Sequence, residues 1–173
     1  AITAADAGDV IEVCAGTYVE NVVVNKSLTI NGPNANNDPT LVTPGRVAEA
    51  IVTPAVNDPV DGRVFDITAD NVTINGFTVD GDNTSLSGGI SHNSADINTQ
   101  FGIGSGTWST GTGGRNGMLI KYNIVKNCND GGIYSNGGGT PVEGGLFTYN
   151  LIDNSPWWGI VMETNSYTNI THN

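Results

Sequence analysis

Two adjacent tryptophans are the residues of this sequence best suited to bind a ligand. Trp157 and Trp158 stand in Pro156-Trp-Trp-Gly159, and consecutive side chains of a strand point to opposite faces, so at most one indole can be buried. An outward indole offers a flat apolar face on which a sugar ring can stack. Tyr134 and Trp108 can complete such a carbohydrate-binding patch. The alternative is that the tryptophans pack against a neighbouring turn or an adjoining domain.

Two carboxylates at alternate positions are the candidate metal ligands. Asp80 and Asp82 open the segment Asp80-Gly-Asp-Asn83, which begins like a Ca²⁺-binding loop. The positions that follow lack the glycine and the glutamate that an EF-hand loop requires. One interpretation is a single weak Ca²⁺ site at the two aspartates, and a solvated turn is the simpler one. No cofactor other than Ca²⁺ is indicated.

The elements that must position these residues repeat along the chain. Residues 120–135 align without gaps with residues 147–162, so that Asn123 falls on Asn150. Each copy reads Tyr-Asn, two aliphatic residues, a variable residue and Asn, and Gly-Ile follows. Units this short cannot bury their own apolar faces, so the repeat predicts a stacked array.

Composition and spacing together predict an all-β protein. The chain has 24 glycines and 13% charged residues, and glycine and asparagine are poor helix formers. Short strands that recur every ~22 to 27 residues predict a parallel β-helix, or solenoid, with aliphatic rows inside. Asn123, Asn150 and Asn173 are expected to form a ladder at one bend. The residues expected to face inward are Ile30, Ile74, Phe77, Val79, Ile120, Ile124, Ile133, Leu151 and Ile160.

The whole chain, residues 1–173, is predicted to form one domain. Residues 1–8 are expected to form a short N-terminal capping helix that ends at Gly8, since glycine commonly terminates helices. Residues 33–61 and 86–116 are dense in turn residues and are expected to be long loop insertions. A final partial repeat leaves an unpaired strand edge. We therefore expect the chain to continue after residue 173 or to meet an adjoining domain or chain there.

The charge of the chain excludes several kinds of partner. The formal net charge is −11 and the isoelectric point is near 4.1, which opposes binding to nucleic acids and to anionic bilayers. No apolar run approaches the ~18 residues that a membrane span needs, so membrane insertion is not expected. Cys14 and Cys128 form neither a metal motif nor a disulfide framework.

Several motifs give the chain a family resemblance. They are Gly8-Asp-Val-Ile-Glu-Val13 followed by Gly16-Thr-Tyr-Val-Glu20, then Lys26-Ser-Leu-Thr-Ile30 and the repeated asparagine units. On these motifs the chain resembles the right-handed parallel β-helix proteins of the pectate-lyase-like superfamily. Two further segments, Gly32–Ala35 and Arg46–Ala50, are similar to parts of large secreted surface proteins of the Bacteroidota. The resemblance implies a right-handed, single-stranded β-helix in an extracellular or cell-surface protein.

The resemblance also implies candidate activities. The superfamily includes uronate lyases, which need Ca²⁺ and an Arg or Lys base. Arg115 and Lys121 are the candidate bases here, with Asp80 and Asp82 at the metal. The signatures of the related polygalacturonases and alginate epimerases are missing from the sequence.

We therefore favour a non-catalytic segment that binds a polysaccharide or cell-surface glycan, or acts as an adhesin or stalk. A Ca²⁺-dependent polysaccharide lyase acting on uronate polymers is the first alternative. A structural repeat of a surface filament is the second.

Overall fold

Strands provide all the regular secondary structure in the part of the chain that the structure describes. The computed structural model describes residues 1–42, 45–107, 113–138, 141–163 and 166–173. The strands are β1 (Val10–Glu12), β2 (Gly16–Val19), β3 (Val22–Val24), β4 (Thr29–Asn31), β5 (Ala50–Thr53), β6 (Asp58–Ile67), β7 (Thr73–Asn75), β8 (Thr78–Asp80), β9 (Ile90–His92), β10 (Ala95–Ile97), β11 (Thr99–Ser105), β12 (Leu119–Lys121), β13 (Ile124–Lys126), β14 (Gly131–Asn136), β15 (Val142–Thr148), β16 (Leu151–Asp153), β17 (Trp158–Glu163) and β18 (Ser166–Thr171).

The strands form three parallel sheets that the chain visits in turn. The first sheet has the order β1-β4-β7-β12-β15-β18, the second β2-β5-β8-β13-β16 and the third β3-β6-β11-β14-β17. After each strand of the third sheet the chain returns to the first sheet, beside the strand that it formed one circuit earlier. The exception is an antiparallel hairpin, β9–β10, inserted between β8 and β11. The prediction of an all-β protein with parallel strands is confirmed, and the arrangement is compatible with a parallel β-helix.

The register of each sheet places apolar residues in rows. Ile30 pairs with Ile74, Ile74 with Ile120, and Ile120 with Phe147, and all four side chains are buried. Equivalent rows run through the second and third sheets, namely Val52, Val79, Val125 and Ile152, and Phe65, Ile103, Ile133 and Ile160. Each fully buried aliphatic or aromatic side chain stabilises the fold by roughly 1.5–3 kcal/mol.

In the second sheet the prediction is confirmed for Val79, which is fully buried, and is wrong at two later positions. Ile124 is only half-buried and Leu151 is exposed, whereas Val125 is fully buried and Ile152 packs against the core. The reason is that the preceding asparagine, Asn123, is itself completely buried at the bend. Because side chains alternate along a strand, the next residue points outward and the one after it points inward.

The predicted N-terminal helix is wrong. Residues 1–8 form turns in which the Ala4 and Ala5 N–H groups donate to the carbonyl of Ala1. The ammonium of Lys26 donates hydrogen bonds to the carbonyls of Ile2, Thr3 and Ala5 and so fastens these turns to the rest of the chain. So short a segment pays the full cost of helix nucleation, which accounts for the absence of a helix among residues 1–8.

Strands lie within both segments that were expected to be loop insertions. Residues 33–61 contain β5 and the start of β6, and residues 86–116 contain the hairpin and β11. Strand β11 reads Thr-Gln-Phe-Gly-Ile-Gly-Ser and is buried throughout. Its two glycines weaken the strand signal in the sequence. Both are needed, because a Cβ on Gly102 would strike Val125 and one on Gly104 would lie 2.8 Å from Nε of Arg63.

Candidate functional site

The segment Asp153–Trp158, which we call the tryptophan turn, carries two indoles at the surface. It joins β16 to β17, and Trp157 is 68% and Trp158 44% exposed. The ring centroids lie 6.2 Å apart and the ring planes are tilted by 38°. Two neighbouring indoles that each expose apolar surface to solvent form a surface on which successive rings of a sugar chain can stack.

Asn127 and Asp130 of the preceding circuit hold the tryptophan turn in place. Asn154, with a backbone φ of 50°, donates from Nδ2 to Oδ1 of Asn127 at 2.6 Å. Asn127 in turn donates to Oδ1 of Asp80 at 2.7 Å. The backbone N–H of Trp158 donates to the carbonyl of Asp130 at 2.9 Å. Asparagine tolerates positive φ better than most residues, so the repeat places it where the chain must bend.

The tip of the β9–β10 hairpin lies against the tryptophan turn. Nδ2 of Asn93 donates to Oδ1 of Asn154 at 2.8 Å. The same nitrogen lies 3.1 Å from Nε2 of His92, which accepts the hydrogen bond when the imidazole carries its proton on Nδ1. The amides of Asn93 and Asn154 therefore lie at the turn that carries the indoles. Amide donors and acceptors suit the hydroxyl groups of a sugar.

Tyr134 lies inside the protein and not on the indole surface. Its side chain is 1% exposed and stacks on Phe101, with ring centroids 4.4 Å apart. The guanidinium carbon of Arg63 lies 5.8 Å from the centroid of the Tyr134 ring. Along the third sheet, Trp158 pairs with Gly131, three residues before Tyr134. The ring of Tyr134 is thus enclosed by neighbours and offers no open face to a sugar.

The hydroxyl of Tyr134 belongs to a small polar cluster. It donates to Oε2 of Glu163 at 3.3 Å and accepts from Nδ2 of Asn136 at 2.8 Å. Burial, which disfavours the phenolate, raises the pKa of Tyr134 to about 12. The group is therefore a neutral structural side chain at physiological pH. Trp108, the other residue expected in the patch, lies outside the described residues.

Protein donors already occupy the carboxylate of Asp80. Nζ of Lys126 lies 3.0 Å from Oδ2 of Asp80, and Oδ1 accepts from Asn127 and from the backbone N–H of Asp82. A Ca²⁺ ion at Asp80 and Asp82 would have to displace that ammonium group. Within the described ranges, no group of three His, Cys, Asp or Glu side chains is placed to hold a metal ion. In this structure Asp80 positions Asn127 and, through it, the tryptophan turn.

The two candidate bases lie at opposite ends of β12. Arg115 precedes the strand, and its backbone N–H donates to Oγ of Ser105 at 3.0 Å. Lys121 ends the strand and donates from Nζ to Oδ1 of Asn36 at 2.9 Å. Among the described residues, no hydrogen bond or ion pair joins either cation to Asp80 or Asp82.

An aromatic stack runs beside the asparagine ladder and was not predicted from the sequence. Tyr122 stacks on Tyr149 at 5.0 Å between centroids, and Tyr149 stacks on His172 at 4.7 Å. All three residues have positive φ, between 53° and 56°. The signal was present, because each aromatic residue directly precedes one of the three predicted ladder asparagines.

The described part of the chain also has an apolar cavity, at the end opposite the tryptophan turn. Its volume is about 340 Å³, and it lies among residues of β1, β2 and β3 and the core beneath them. Its lining includes Ile11, Val13, Tyr18, Val22 and Phe65. Apolar side chains of this kind fill the interior of the sheets elsewhere in the molecule, so the cavity continues the core. Glu12, Cys14 and Glu20 also line it.

Two further findings bear on function. In the residues that the structure describes, no helix is long and apolar enough to cross a membrane. Comparison of the chain with protein-family models, with curated proteins and with solved structures gave no match. The geometry of the tryptophan turn therefore carries the functional argument.

Proposed function

We propose that this chain is part of an extracellular or cell-surface protein and binds polysaccharide without cleaving it, through the tryptophan turn. The observation that carries this proposal is the exposure of two adjacent indoles on one short turn. Trp157 and Trp158 together present a larger apolar face than an isolated surface aromatic residue, and exposed apolar surface of this kind commonly marks a binding site.

The proposed scaffold is a right-handed, single-stranded parallel β-helix of the pectate-lyase-like type. Its first support is the sheet topology: on each full circuit of the chain, one strand joins the first sheet, a later one the second and a later one the third. A second support is the asparagine ladder, in which Asn123 donates to Asn150 at 3.0 Å and Asn150 to Asn173 at 2.9 Å. Stacked circuits of this kind give the tryptophan turn a rigid base, which lowers the entropy cost of binding.

The expected affinity follows from the area of the indoles. An indole face that covers one sugar ring removes roughly 60 Å² of apolar surface from water, which is worth about 1.5 kcal/mol. Two indoles then contribute about 3 kcal/mol, and loss of either one weakens binding about tenfold. The amides of Asn93 and Asn154 at the border can orient the sugar hydroxyls.

Alanine substitution at each tryptophan tests the proposal. Binding of the purified protein to a glycan array and to insoluble polysaccharides is compared for the wild type, Trp157→Ala and Trp158→Ala. Tyr167→Ala is the matched control, because Tyr167 is 63% exposed but lies in β18 of the first sheet. We expect about tenfold weaker binding for each tryptophan variant and no change for the control.

Two results would overturn the proposal. One is unchanged glycan binding after both tryptophans are replaced by alanine. The other is release of unsaturated uronides from pectin or alginate, seen as ultraviolet absorbance, which would identify a polysaccharide lyase. If no glycan binds the wild type, a stalk or filament role without sugar recognition is the explanation that remains.

A further inference from the structure

A carboxylate without a cationic partner stands at the start of the tryptophan turn. Asp153 is exposed, and no described residue donates a hydrogen bond to its carboxylate or forms an ion pair with it. Lys126 is its neighbour in the second sheet, where the two residues pair in register. The ammonium of Lys126 is turned the other way, however, and bonds Asp80 of β8 at 3.0 Å. The carboxylate of Asp153 thus has no cationic partner among the described residues, at the start of the turn that carries the indoles.

A second carboxylate lies on the other side of the turn. Asp130 accepts the backbone N–H of Trp158 at its own carbonyl, so the two residues are in direct contact. The side-chain oxygens of Asp130 accept from Nε2 of Gln100 at 2.7 Å and from Nδ2 of Asn129 at 2.9 Å. Both donors are neutral amides. They satisfy the hydrogen-bonding needs of the carboxylate without cancelling its charge.

The cations of the chain are committed elsewhere. The chain has six Lys and Arg residues and 17 Asp and Glu residues. Arg46, Arg63 and Lys126 form ion pairs with Glu49, Asp66 and Asp80, Lys26 bonds the N-terminal turn, and Lys121 bonds Asn36.

Arg115 is the remaining cation, and its backbone is far from the turn. Its backbone N–H donates to Oγ of Ser105 in the third sheet. In that sheet Ser105 pairs with Ser135, and Ser135 pairs with Met162. Met162 lies four residues beyond Trp158 along β17, roughly 13 Å at about 3.3 Å per residue. The tryptophan turn thus has carboxylates at both borders. Among the described residues, the cation beside it is Lys126, whose ammonium group is bonded to Asp80.

We propose that the tryptophan turn binds neutral polysaccharide chains and rejects uronate polymers. This inference rests on the proposed function, and it names the class of sugar that the same site takes. A uronate polymer carries a carboxylate on every ring and would need a cation at the site, as carboxylate recognition by proteins generally does. Here it would meet Asp153, Asp130 and the field of a chain with a net charge of −11. A neutral chain meets no such repulsion.

Calorimetric titration with matched oligosaccharides tests the inference. The probes are the neutral hexasaccharides of β-linked glucose, xylose and mannose, and hexagalacturonate, each at low and high salt. We expect at least one neutral hexasaccharide to bind at least tenfold more tightly than hexagalacturonate at low salt. The difference should narrow at high salt, because the Debye length falls to about 3 Å at 1 M.

The outcomes separate this inference from the proposed function. Hexagalacturonate that binds as tightly as the neutral probes, and loses binding in Trp157→Ala, would refute the inference and leave the sugar platform intact. Binding of any probe that is unaffected by Trp157→Ala and Trp158→Ala would refute the platform itself. Absence of binding by every probe would refute both.

A charge variant gives a second, independent readout. Asp153→Asn removes one negative charge at the border of the site and keeps the shape of the side chain. We expect about a twofold gain in hexagalacturonate binding at low salt, as for one screened charge at 8–10 Å, and no change for the neutral probe. Glu20→Gln is the matched control, since Glu20 is exposed at the far end of the second sheet. An equal gain in the control would refute a local effect of Asp153.

Discussion

Replacing Asn150 by alanine removes a fully buried side chain that makes four hydrogen bonds. Its Oδ1 accepts from the backbone N–H and from Nδ2 of Asn123, and its Nδ2 donates to the carbonyl of Ile120 and to Oδ1 of Asn173. Asn123 Nδ2 keeps a second partner in the carbonyl of Ile74. The backbone N–H of Asn123 loses its acceptor and has no water to replace it, since Asn123 is also fully buried.

The expected cost of Asn150→Ala follows from those four bonds. An orphaned buried N–H costs about 1–3 kcal/mol, and each of the other lost bonds about 0.5–1 kcal/mol. We therefore expect the free energy of unfolding to fall by about 2.5–6 kcal/mol. With an m value of about 2 kcal/mol/M for a chain of this size, the urea midpoint should fall by about 1.3–3 M.

Asn154→Ala is the matched control for this experiment. Asn154 belongs to a second asparagine row and bonds Asn127 and Asn93, but it is only half-buried. Water can replace its lost partners, so we expect a cost of about 1 kcal/mol or less. Unfolding is followed by circular dichroism in urea. If Asn150→Ala destabilises the protein no more than Asn154→Ala, the buried ladder does not stabilise the stacking in the way described.

Three further predictions concern the core and its titratable groups. Gly132→Ala should destabilise the protein by about 1–3 kcal/mol, because the added Cβ would lie 2.6 Å from the side chain of Ile152. Gly159→Ala, at the equivalent place one circuit later, is the control. Its Cβ would lie 3.8 Å from Ile152, so the urea midpoint should change little. Cys128 is buried, and burial raises its pKa. An aromatic disulfide reagent at neutral pH should therefore label one thiol in the native protein, that of Cys14, and both thiols in denaturant. Rapid labelling of both thiols in the native protein would contradict the burial of Cys128. Because the pKa of Tyr134 is raised to about 12, its contribution to stability should be complete below about pH 10 and be lost as the pH rises towards 12. Tyr134→Phe should flatten that alkaline loss in urea titrations, and an unchanged slope would refute the assignment.

The repeat made the interior of the fold predictable. Asn123 and Asn150 occupy the same place in two sequence copies, and the structure joins them by a hydrogen bond. Ile120 and Phe147 are likewise equivalent in the two copies and pair in register. A row of identical contacts requires the same residue types at the same interval, so sequence comparison alone detects it.

Contacts between non-equivalent parts of the chain were not predictable in this way. The N-terminal segment forms turns whose carbonyls accept hydrogen bonds from the ammonium of Lys26, a residue that follows β3. Leu151 is exposed because the preceding buried asparagine sets the direction of the strand that follows.

In the candidate site, too, some features could be predicted from the sequence and contacts between distant segments could not. The sequence predicted that at most one indole of the adjacent pair would be buried. In the structure both indoles are exposed. The approach of Asn93 from the inserted hairpin and the enclosure of Tyr134 by Phe101 depend on which segments meet in space. No repeat or local motif in the sequence predicts these contacts between distant segments, so only the structure shows them.

The most direct test of glycan binding at the tryptophan turn is a nuclear magnetic resonance titration of the indole N–H signals. The chain has three tryptophans, and Trp157→Phe and Trp158→Phe assign two of the three signals. Addition of the neutral hexasaccharide that binds in calorimetry should shift the Trp157 and Trp158 signals with one common saturation curve and leave the backbone amide of the buried Asn123 unmoved. Saturable binding that moves neither indole signal would contradict the account.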